Sequence, residues 1–288
     1  VADGVREQLP QLPEENLLVE PEGKDTAPAV AWATLETAKR HGKEALLGFF
    51  PADHWIGDRL AFEQTLKAAS QLASDRPAIV TLGITPNYPS IGYGYIEQGE
   101  PAGSFAGLPA YRVSRFTEKP DREQAEAFLK TGRFSWNSGM FIFQAGVVLE
   151  ELYLHAPEII RPLAEQGEAA YAKFEKKSID YALMEKTQLA YVLPANFGWD
   201  DLGDWNAIER LLKGDGKNVA LATHVERDTQ GAILYASDGD EVIVTIGIDD
   251  VVIVRDRNVT LVVNKDRTQE IKQILKLLEA EPKFEKLL

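Results

Sequence analysis

Alternating apolar and polar runs predict short strands and helices in the first part of the chain. Residues 44–50 (EALLGFF) and 78–83 (AIVTLG) are nearly continuous apolar runs, as expected for strands buried on both faces of a sheet. Residues 29–41 and 59–73 carry apolar positions at helical spacing, and residues 16–21 (NLLVEP) are predicted to form one more short strand. Strands and helices that alternate in such short units favour a parallel sheet with helices on both faces.

The middle of the chain is richer in turns. The segment from residue 85 to 100 is predicted to pair with an antiparallel return strand at 111–120, and Asp121 is a plausible N-cap of the helix that follows. Further elements are predicted in chain order: a strand at 136–144, helices over roughly 145–187, and a strand at 189–195.

The last quarter of the chain has a different pattern. Short apolar strands recur about every ten residues with Gly and Asp at the turns, at 231–237, 241–247, 250–256 and 259–265. A helix over about 268–278 closes the chain. We therefore predict two domains: residues 1–215, an α/β domain, and residues 216–288, a small β-rich domain that ends in a helix.

The composition excludes several classes of protein. The chain has 288 residues, of which 44% are hydrophobic and 26% charged, so it can bury a sizeable core. It contains no run of about 18 apolar residues, which excludes a membrane-spanning helix. It also contains no cysteine, which excludes disulfides and thiolate metal sites and is typical of a reducing cytoplasm.

The net charge of −14 limits the choice of partners. It arises from 31 Lys and Arg against 45 Asp and Glu, so the surface repels nucleic acid and acidic lipid. A phosphorylated substrate would meet the same repulsion. Phosphate chemistry in this chain would therefore need a divalent metal ion and a few well-placed basic side chains.

Acidic residues follow three of the predicted strands. They are Glu20, Asp53 and the pair Asp200 and Asp201 in the stretch GWDDLGDW at 198–205. Ligands of open α/β sheets bind at the carboxyl ends of strands, and Mg²⁺ is held by one or two protein carboxylates together with phosphates. The alternative for each residue alone is an ordinary turn or helix cap.

Three further residues are candidates for binding a sugar phosphate. Lys119 in RFTEKPD stands at a strand end and could meet a phosphate, or it could be a solvated edge lysine. Asn137 offers donors and an acceptor that suit a sugar hydroxyl, but it could also be a turn residue. Gly94 would allow a ligand to approach the backbone closely, or would simply twist a hairpin.

Several motifs occur in an order that resembles a known family. They are LVEPEGKDTAPAVA, FFPADHWI, YGYIE, RFTEKPDREQAEAFL, WNSGMFIF, SIDYALMEK and WDDLGDW. Together they resemble the nucleotidyltransferases that make nucleotide sugars, and among these the mannose-1-phosphate guanylyltransferases. The resemblance spans nearly the whole chain and implies a Rossmann-like (GT-A-like) domain with a mixed, mainly parallel sheet.

The resemblance implies a reaction and its metal. GTP and mannose 1-phosphate would give GDP-mannose and pyrophosphate with Mg²⁺, by in-line attack of the sugar-phosphate oxygen on the α-phosphorus. Asp53 and Asp201 would hold the metal, because the metal aspartate of the family falls two residues after the tryptophan. Asp200 and Asp204 would be solvated or capping residues, while the aromatic rings pack the loop.

The same resemblance implies the substrate contacts. Lys119 would neutralise the sugar phosphate and, with Asp53 and Asp201, complete the catalytic set. Asp180 is expected in the first turn of its helix, where the helix dipole favours a carboxylate, and it is also expected to contact the substrate. The residues expected at mannose are Gly94, Glu118 and Asn137, and those expected along guanine are Glu20, Thr26 and Ala27.

One departure from the family pattern concerns the Gly-rich loop, of the form GGxGxRLxPLS, that wraps the triphosphate. This sequence starts after the position of that loop, so we expect residues 1–288 alone to be inactive and to show a groove beside the strands that end at Glu20 and Asp53. Two alternatives stay open: a nucleotidyltransferase for another sugar phosphate or base, and a non-catalytic regulatory subunit that binds nucleotide sugars. The expected partners are GTP and mannose 1-phosphate, not nucleic acid or a membrane, and a homodimer stays open.

Overall fold

A computed structural model describes residues 2–287, which form two compact units. The first unit comprises the chain up to Ala52 and Ile56–Trp199, and the second comprises Asp53–Trp55 and the chain from Asp200 onward. The short segment Asp53–Trp55 therefore belongs with residues that follow it by about 150 positions. No helix in the described range is both long and apolar enough to cross a membrane.

The predicted helices at 29–41, 59–73 and after Asp121 are present with some changes at their ends, whereas the helix Asn206–Leu212 was not predicted. The second helix begins at Thr26 rather than at 29, because the carboxylate of Asp25 accepts the N–H of Thr26 at 2.7 Å; it ends before Gly42, which has φ 87°. The carboxylate of Asp121 caps the fourth helix as predicted, accepting the N–H of Gln124 at 2.8 Å. The α-helices are α1 (Ala2–Gln8), α2 (Thr26–His41), α3 (Arg59–Asp75), α4 (Arg122–Thr131), α5 (Ala145–His155), α6 (Pro157–Gln166), α7 (Asn206–Leu212) and α8 (Ile271–Glu279).

Short helical turns complete the helical structure. Within the described residues, 3₁₀ turns lie at Glu14–Asn16, Gly167–Lys173, Lys265–Glu270 and Pro282–Leu287, and the third of these leads into α8. Residues Asp180–Met184 form a π-helical turn, a rare form that occurs frequently at functional sites.

The strands fall into a main sheet in the first unit, a β-rich second unit and a short ladder between β2 and β8. They are β1 (Leu46–Phe49), β2 (Trp55–Ile56), β3 (Ile79–Ile84), β4 (Tyr95–Phe105), β5 (Leu108–Thr117), β6 (Phe134–Gln144), β7 (Ala190–Ala195), β8 (Trp199–Asp200), β9 (Val219–Leu221), β10 (Thr223–Arg227), β11 (Ile233–Ala236), β12 (Val242–Ile246), β13 (Val251–Asp256) and β14 (Val259–Asn264).

The main sheet is mixed, as predicted, but it is not mainly parallel. Its strand order is β1-β6-β3-β7-β5-β4, and only β3 and β7 pair in parallel. Strand β6 lies antiparallel between β1 and β3, so strands that share a direction are separated by one that runs the other way. The long hairpin of β4 and β5 adds another antiparallel pair, as the turn-rich middle of the chain predicted.

Successive residues of the central strands enter two different apolar cores, because side chains of a strand point alternately to the two faces. Ile79 and Phe141 pack with α2, α5 and α6 in one core. Val80 and Ile142 pack with α3 in the other. Helices therefore cover both faces, and the prediction that 78–83 is a fully buried strand is confirmed by β3.

Two predicted strands near the start of the chain need correction. Strand β1 is not buried on both faces: it lies at the edge of the sheet, where Leu46 is 41% exposed and the adjoining Phe50 is 44% exposed. Residues 16–21 form no strand. Leu17 instead closes a 3₁₀ turn onto Glu14, and downstream the backbone is held by Lys177, whose N–H donates to Lys24 O at 3.1 Å.

The second unit coils in a way that strand spacing alone did not predict. Its neighbouring strands pair mostly in parallel: Thr223 lies beside Val242 and Ile233 beside Val252, each 19 residues later. Strands β13 and β14, in contrast, form an antiparallel pair. The predicted β-rich domain that ends in a helix is confirmed, and its core includes Leu234 and Ile243.

Candidate active site

Four of the predicted substrate residues line one small pocket in the first unit, with a volume of about 10 Å³. They are Gly94, Glu118, Asn137 and Asp180, and they come from four separate parts of the chain. Asn137 joins them, since its N–H donates to Gly94 O at 2.8 Å and its Nδ2 donates to Asp180 Oδ1 at 2.9 Å. The structure therefore brings together residues that lie up to 86 positions apart (94 to 180).

Sequence position alone did not show why residue 94 is a glycine. A Cβ atom at Gly94 would lie 2.8 Å from Glu118 Oε2 and 3.6 Å from Asn137 Cβ. Any larger residue would push the Glu118 carboxylate away from the pocket. The glycine therefore provides the space in which this carboxylate lies.

The amide of Asn137 is fixed at both ends. Its Oδ1 accepts the N–H of Gly139 at 3.1 Å, while its Nδ2 donates to Asp180. Gly139 has φ 68°, a conformation that favours glycine. The pocket therefore presents a pre-oriented amide beside two carboxylates, a set that can both donate to and accept from neutral hydroxyl groups.

Burial dominates the electrostatics of Asp180. It raises the pKa of the Asp180 carboxyl, and the nearby Glu118 carboxylate raises it further, while the hydrogen bond from Asn137 opposes the shift. Asp180 lies in the first turn of its helical segment, as expected, but this segment is a five-residue π turn, and burial outweighs any stabilisation of the charged form by a helix dipole. Burial likewise raises the pKa of Glu185, with a contribution from Asp180.

A larger cleft of about 460 Å³ shares Glu118, Asp180 and Glu185 with this pocket and contains the predicted Lys119. The ammonium of Lys119 lies 3.0 Å from Glu118 Oε1. Lys119 has φ 41°, which is unusual for a residue with a side chain and more so before a proline. Such backbone strain clusters at binding sites, where the surrounding structure holds it in place.

The cleft also contains residues that the sequence argument missed. Lys176 lies in it, as do Lys177, which pairs with Glu158 at 2.8 Å, and the helix cap Asp25, with φ 69°. Glu185 was missed too, although it stands inside the motif SIDYALMEK that carried the resemblance. Closeness to that motif was the one signal that could have found Glu185 and the two lysines.

The three residues predicted along guanine have different surroundings. Thr26 Oγ1 accepts the N–H of Ile179 at 2.8 Å, and Ala27 is fully buried with its N–H donating to Lys177 O at 3.0 Å. Glu20 Oε1 is buried without a hydrogen-bond partner, and the nearby Glu20 carboxylate adds to the effect of burial in raising the pKa of Tyr171. Their contact with a base stays a prediction.

The two predicted metal residues, Asp53 and Asp201, belong to the second unit. Both act on His54: burial lowers the pKa of this imidazole, while the carboxylates of Asp53, Asp201 and Asp200 oppose the shift. Asp201 Oδ1 accepts the N–H of Gly203 at 3.0 Å. Within residues 2–287 there is no cluster of three or more His, Cys, Asp or Glu with the geometry of a metal site, so a pair of carboxylates is what the chain offers.

The neighbouring aspartates of GWDDLGDW have structural roles. Asp204 caps α7 as predicted, accepting the N–H of Ala207 at 3.1 Å. The prediction for Asp200 was wrong: it is 6% exposed and forms two hydrogen bonds with Arg210, of 2.6 and 3.1 Å. A buried carboxylate needs a hydrogen-bonded partner of opposite charge, and the Arg210 guanidinium is one because it binds the carboxylate in a bidentate manner.

The aromatic rings of this stretch pack as expected, since Trp199 is buried and Trp205 lies 5.8 Å from the ring of Tyr235. The two adjacent aspartates differ in burial: Asp200 is buried, whereas Asp201 is partly exposed. Asp201 is therefore the one of the two that solvent and an incoming ion can reach more easily.

Two family models match the chain. One, described as "Nucleotidyl transferase", matches residues 2–217, and one described as "MannoseP isomerase/GMP-like beta-helix domain" matches residues 222–278. The chain belongs to the nucleotidyl transferase family. The resemblance found in the sequence is thereby confirmed, and enzymes of this family generally use a divalent metal ion.

Several relatives of this nucleotidyl transferase carry specific names. Mannose-1-phosphate guanylyltransferase of Escherichia coli (strain K12) is 35% identical over 98% of this chain, and Xanthan biosynthesis protein XanB of Xanthomonas campestris pv. campestris (strain B100) is 37% identical over 95%. The chain spans 62% and 60% of their lengths. A solved structure named mannose-1-phosphate geranyltransferase, from Thermus thermophilus, has a TM-score of 0.80 and 35% identity, with 91% of this chain and 78% of that chain covered.

Proposed function

We propose that this protein forms GDP-mannose and pyrophosphate from GTP and mannose 1-phosphate. The observation that carries the proposal is the pocket of Gly94, Glu118, Asn137 and Asp180 beside the lysine-containing cleft, in a chain of the nucleotidyl transferase family. Relatives named mannose-1-phosphate guanylyltransferase support the choice of sugar and base.

Mannose would be recognised by hydrogen bonds from its hydroxyl groups. The Glu118 and Asp180 carboxylates accept from hydroxyl groups, and the Asn137 amide, held by Gly139, keeps its direction without a ligand. A site whose groups are already oriented loses little entropy when it binds. The Glu118 carboxylate lies close enough to raise the pKa of Asp180, so negative charge is already concentrated here and a neutral polyol is favoured over a further anion.

The phosphate of the sugar would be met by Lys119. This lysine already lies beside a carboxylate in the cleft, so the phosphate would replace Glu118 as its partner. In a protein of net charge −14, local lysines are what allow an anionic substrate to enter. Catalysis of phosphoryl transfer depends mainly on such positioning and charge neutralisation.

Asp53 and Asp201 would hold the metal, which we propose to be Mg²⁺. Two hard carboxylates fit this ion, because Mg²⁺ takes one or two protein carboxylates and completes its shell with water and substrate phosphates. When bound, the ion neutralises phosphate charge in the transition state. The influence of both carboxylates on one imidazole, His54, supports the pairing of residues that are 148 positions apart (53 to 201).

Guanine would lie along the segment of Glu20, Thr26 and Ala27. A carboxylate can accept hydrogen bonds from the guanine N–H groups, and the partly exposed Glu20 supplies a carboxylate in this segment. We further propose the domain division 1–215 and 216–288. The cytoplasmic location, the absence of nucleic acid and membrane partners, and the homodimer stay predictions.

The test is an activity assay on the complete gene product that contains residues 1–288. We expect release of pyrophosphate and formation of GDP-mannose from GTP and mannose 1-phosphate, and loss of both when EDTA removes divalent metal. Product from another sugar phosphate or another nucleoside triphosphate would support the first alternative. Binding of GDP-mannose without turnover under any substrate pair would support the regulatory alternative.

A further inference from the structure

Two segments separated by about 150 positions are joined in the first unit by three hydrogen bonds. Lys177 N–H donates to Lys24 O at 3.1 Å, and Ala27 N–H donates to Lys177 O at 3.0 Å. The third bond differs from these, because its acceptor is a side chain: Ile179 N–H donates to Thr26 Oγ1 at 2.8 Å. The backbone bonds persist under most substitutions, but the third depends on the hydroxyl of Thr26.

The Thr26 bond lies at the start of the sugar pocket. Ile179 is 4% exposed and directly precedes Asp180, the first residue of the π turn. Asp180 in turn accepts the hydrogen bond from Asn137, whose N–H donates to Gly94 O. One continuous chain of bonded groups therefore leads from the segment predicted along guanine to the pocket predicted for mannose.

The hydroxyl of Thr26 is suited to join two binding events. A hydroxyl can accept one hydrogen bond and donate another, and Thr26 is an exposed residue that accepts from Ile179. A ligand that takes the hydroxyl hydrogen would polarise the bond to Ile179, because linked hydrogen bonds strengthen one another. Occupation of the nucleotide segment would thus tighten the position of Asp180.

We propose that Thr26 is a positioning residue that couples nucleotide binding to sugar-phosphate binding through Ile179 and Asp180. This inference rests on the proposed function for the identity of the two ligands. The positioning itself does not, because the hydrogen bond between Thr26 and Ile179 is a property of the free chain.

The test compares three variants of the complete gene product. Thr26→Val keeps the shape but removes the hydroxyl, Thr26→Ser keeps the hydroxyl, and Thr131→Val is the matched control. The Thr131 hydroxyl also accepts a backbone N–H, from Arg133 at 3.2 Å, but it lies at the end of α4 and lines neither the pocket nor the cleft.

The first readout needs no ligand. Hydrogen exchange of the peptide covering residues 177–185 is expected to be faster in Thr26→Val, by about five- to tenfold for the Ile179 amide, as for loss of one hydrogen bond. Thr26→Ser is expected to restore the slow exchange, and Thr131→Val to leave it unchanged. Unchanged exchange in Thr26→Val would overturn the proposal.

The second readout is the coupling between ligands. Calorimetric titration of mannose 1-phosphate, with and without saturating GDP, is expected to show tighter sugar binding with GDP in the wild-type protein. A coupling of about fivefold or more is typical between linked sites, and Thr26→Val should lose most of it while Thr26→Ser keeps it. The double variant Thr26→Val with Asp180→Asn should lose no more coupling than Thr26→Val alone, because both substitutions interrupt the same series of hydrogen bonds.

Two results would contradict the coupling role. If Thr26→Val weakened GDP binding while the effect of GDP on mannose 1-phosphate stayed as in wild type, Thr26 would be a base contact only. If all affinities fell together with the melting temperature, its role would be structural. Failure of the wild-type protein to bind mannose 1-phosphate would count against the proposed function instead, and the exchange experiment would still decide the positioning by Thr26.

Discussion

Asn137 and Asp180, which are 43 positions apart, are joined by a hydrogen bond of 2.9 Å between Nδ2 and Oδ1. The bond links the strand β6 with the π turn Asp180–Met184. Its acceptor is a carboxyl group whose pKa is raised by burial and by the nearby Glu118 carboxylate. The pocket therefore holds a carboxyl group where burial disfavours its charged form, which is typical of groups retained for binding rather than for stability.

Asp180→Asn is expected to stabilise the free protein and to weaken its sugar binding. A carboxyl group whose pKa is higher in the folded chain than its unfolded value of 3.8 lowers the free energy of unfolding as the pH rises from that value through the raised pKa. The amide removes this decline, so the variant should melt at a higher temperature than wild type at pH 7. The Michaelis constant for mannose 1-phosphate should rise by about tenfold, as for loss of a hydrogen bond donated to a charged acceptor.

Melting curves between about pH 4 and pH 7 check the stability part of this prediction. Asp75→Asn is the control, because Asp75 is exposed at the end of α3. If the melting temperature of Asp180→Asn fell with rising pH as steeply as that of wild type, a group other than Asp180 would cause the fall.

Lys119→Ala is expected to raise the Michaelis constant for mannose 1-phosphate far more than that for GTP. Loss of a charge-assisted bond to the phosphate should cost about tenfold or more in apparent affinity. Steady-state kinetics with each substrate varied in turn provide the measurement. Lys130→Ala, at the end of α4, removes the same charge outside the cleft and should change neither constant. Equal changes for both substrates in Lys119→Ala would indicate a general electrostatic effect.

Asp201→Asn is expected to lower turnover by about a hundredfold while the fold stays intact. Asp53→Asn should do the same, and the two changes combined should cost little more than either, because both would remove one metal site. Titration with Mn²⁺, followed by electron paramagnetic resonance of the free ion, checks metal affinity without turnover. Near-normal Mn²⁺ affinity in both variants would exclude these carboxylates as ligands.

Asp200→Asn is expected to act on stability. The Asp200 carboxylate is buried and paired with Arg210, whose side chain is 29% exposed. Loss of the charge should lower the free energy of unfolding by about 1–3 kcal/mol, less than for a fully buried pair because Arg210 can still reach water. Urea denaturation measures this, with Asp215→Asn in an exposed turn as control. A value close to that of the control would mean that Asp204, 3.6 Å from Arg210, replaces the lost partner.

The sequence predicted correctly those elements whose local hydrophobic pattern matches their actual burial in the fold. Strand β3 has six consecutive buried residues and was found from its apolar run alone. The carboxylate of Asp121 caps its helix because an N-cap depends only on residues nearby. In contrast, β1 has an equally apolar sequence but lies at a sheet edge, a position that depends on strand order and not on the residues of β1.

In the candidate site, too, some residues could be predicted from local sequence and others depend on the tertiary fold. Glu118, Lys119 and Asn137 could be named from motifs, but the positions of Glu185 and Lys176 in the cleft depend on how the chain folds around Asp180. Asp200 was expected to be a solvated or capping residue because its partner, Arg210, stands ten positions away on a helix whose orientation the sequence does not specify. Pairings of this kind are tertiary, and no local pattern encodes them.

The 19-residue offset in the second unit determines which insertions this part of the chain can accept. Thr223 and Val242, Gln230 and Asp249, and Ile233 and Val252 are all separated by the same interval. A single added residue inside the coil would turn every later side chain to the opposite face, and Leu234 or Ile243 would meet water. A whole coil of 19 residues would restore the pairing of β10 with β12 and of β11 with β13, whereas β9 and β11 pair at an interval of 14 residues, so a coil gained or lost in evolution must match the interval of the strands that it joins.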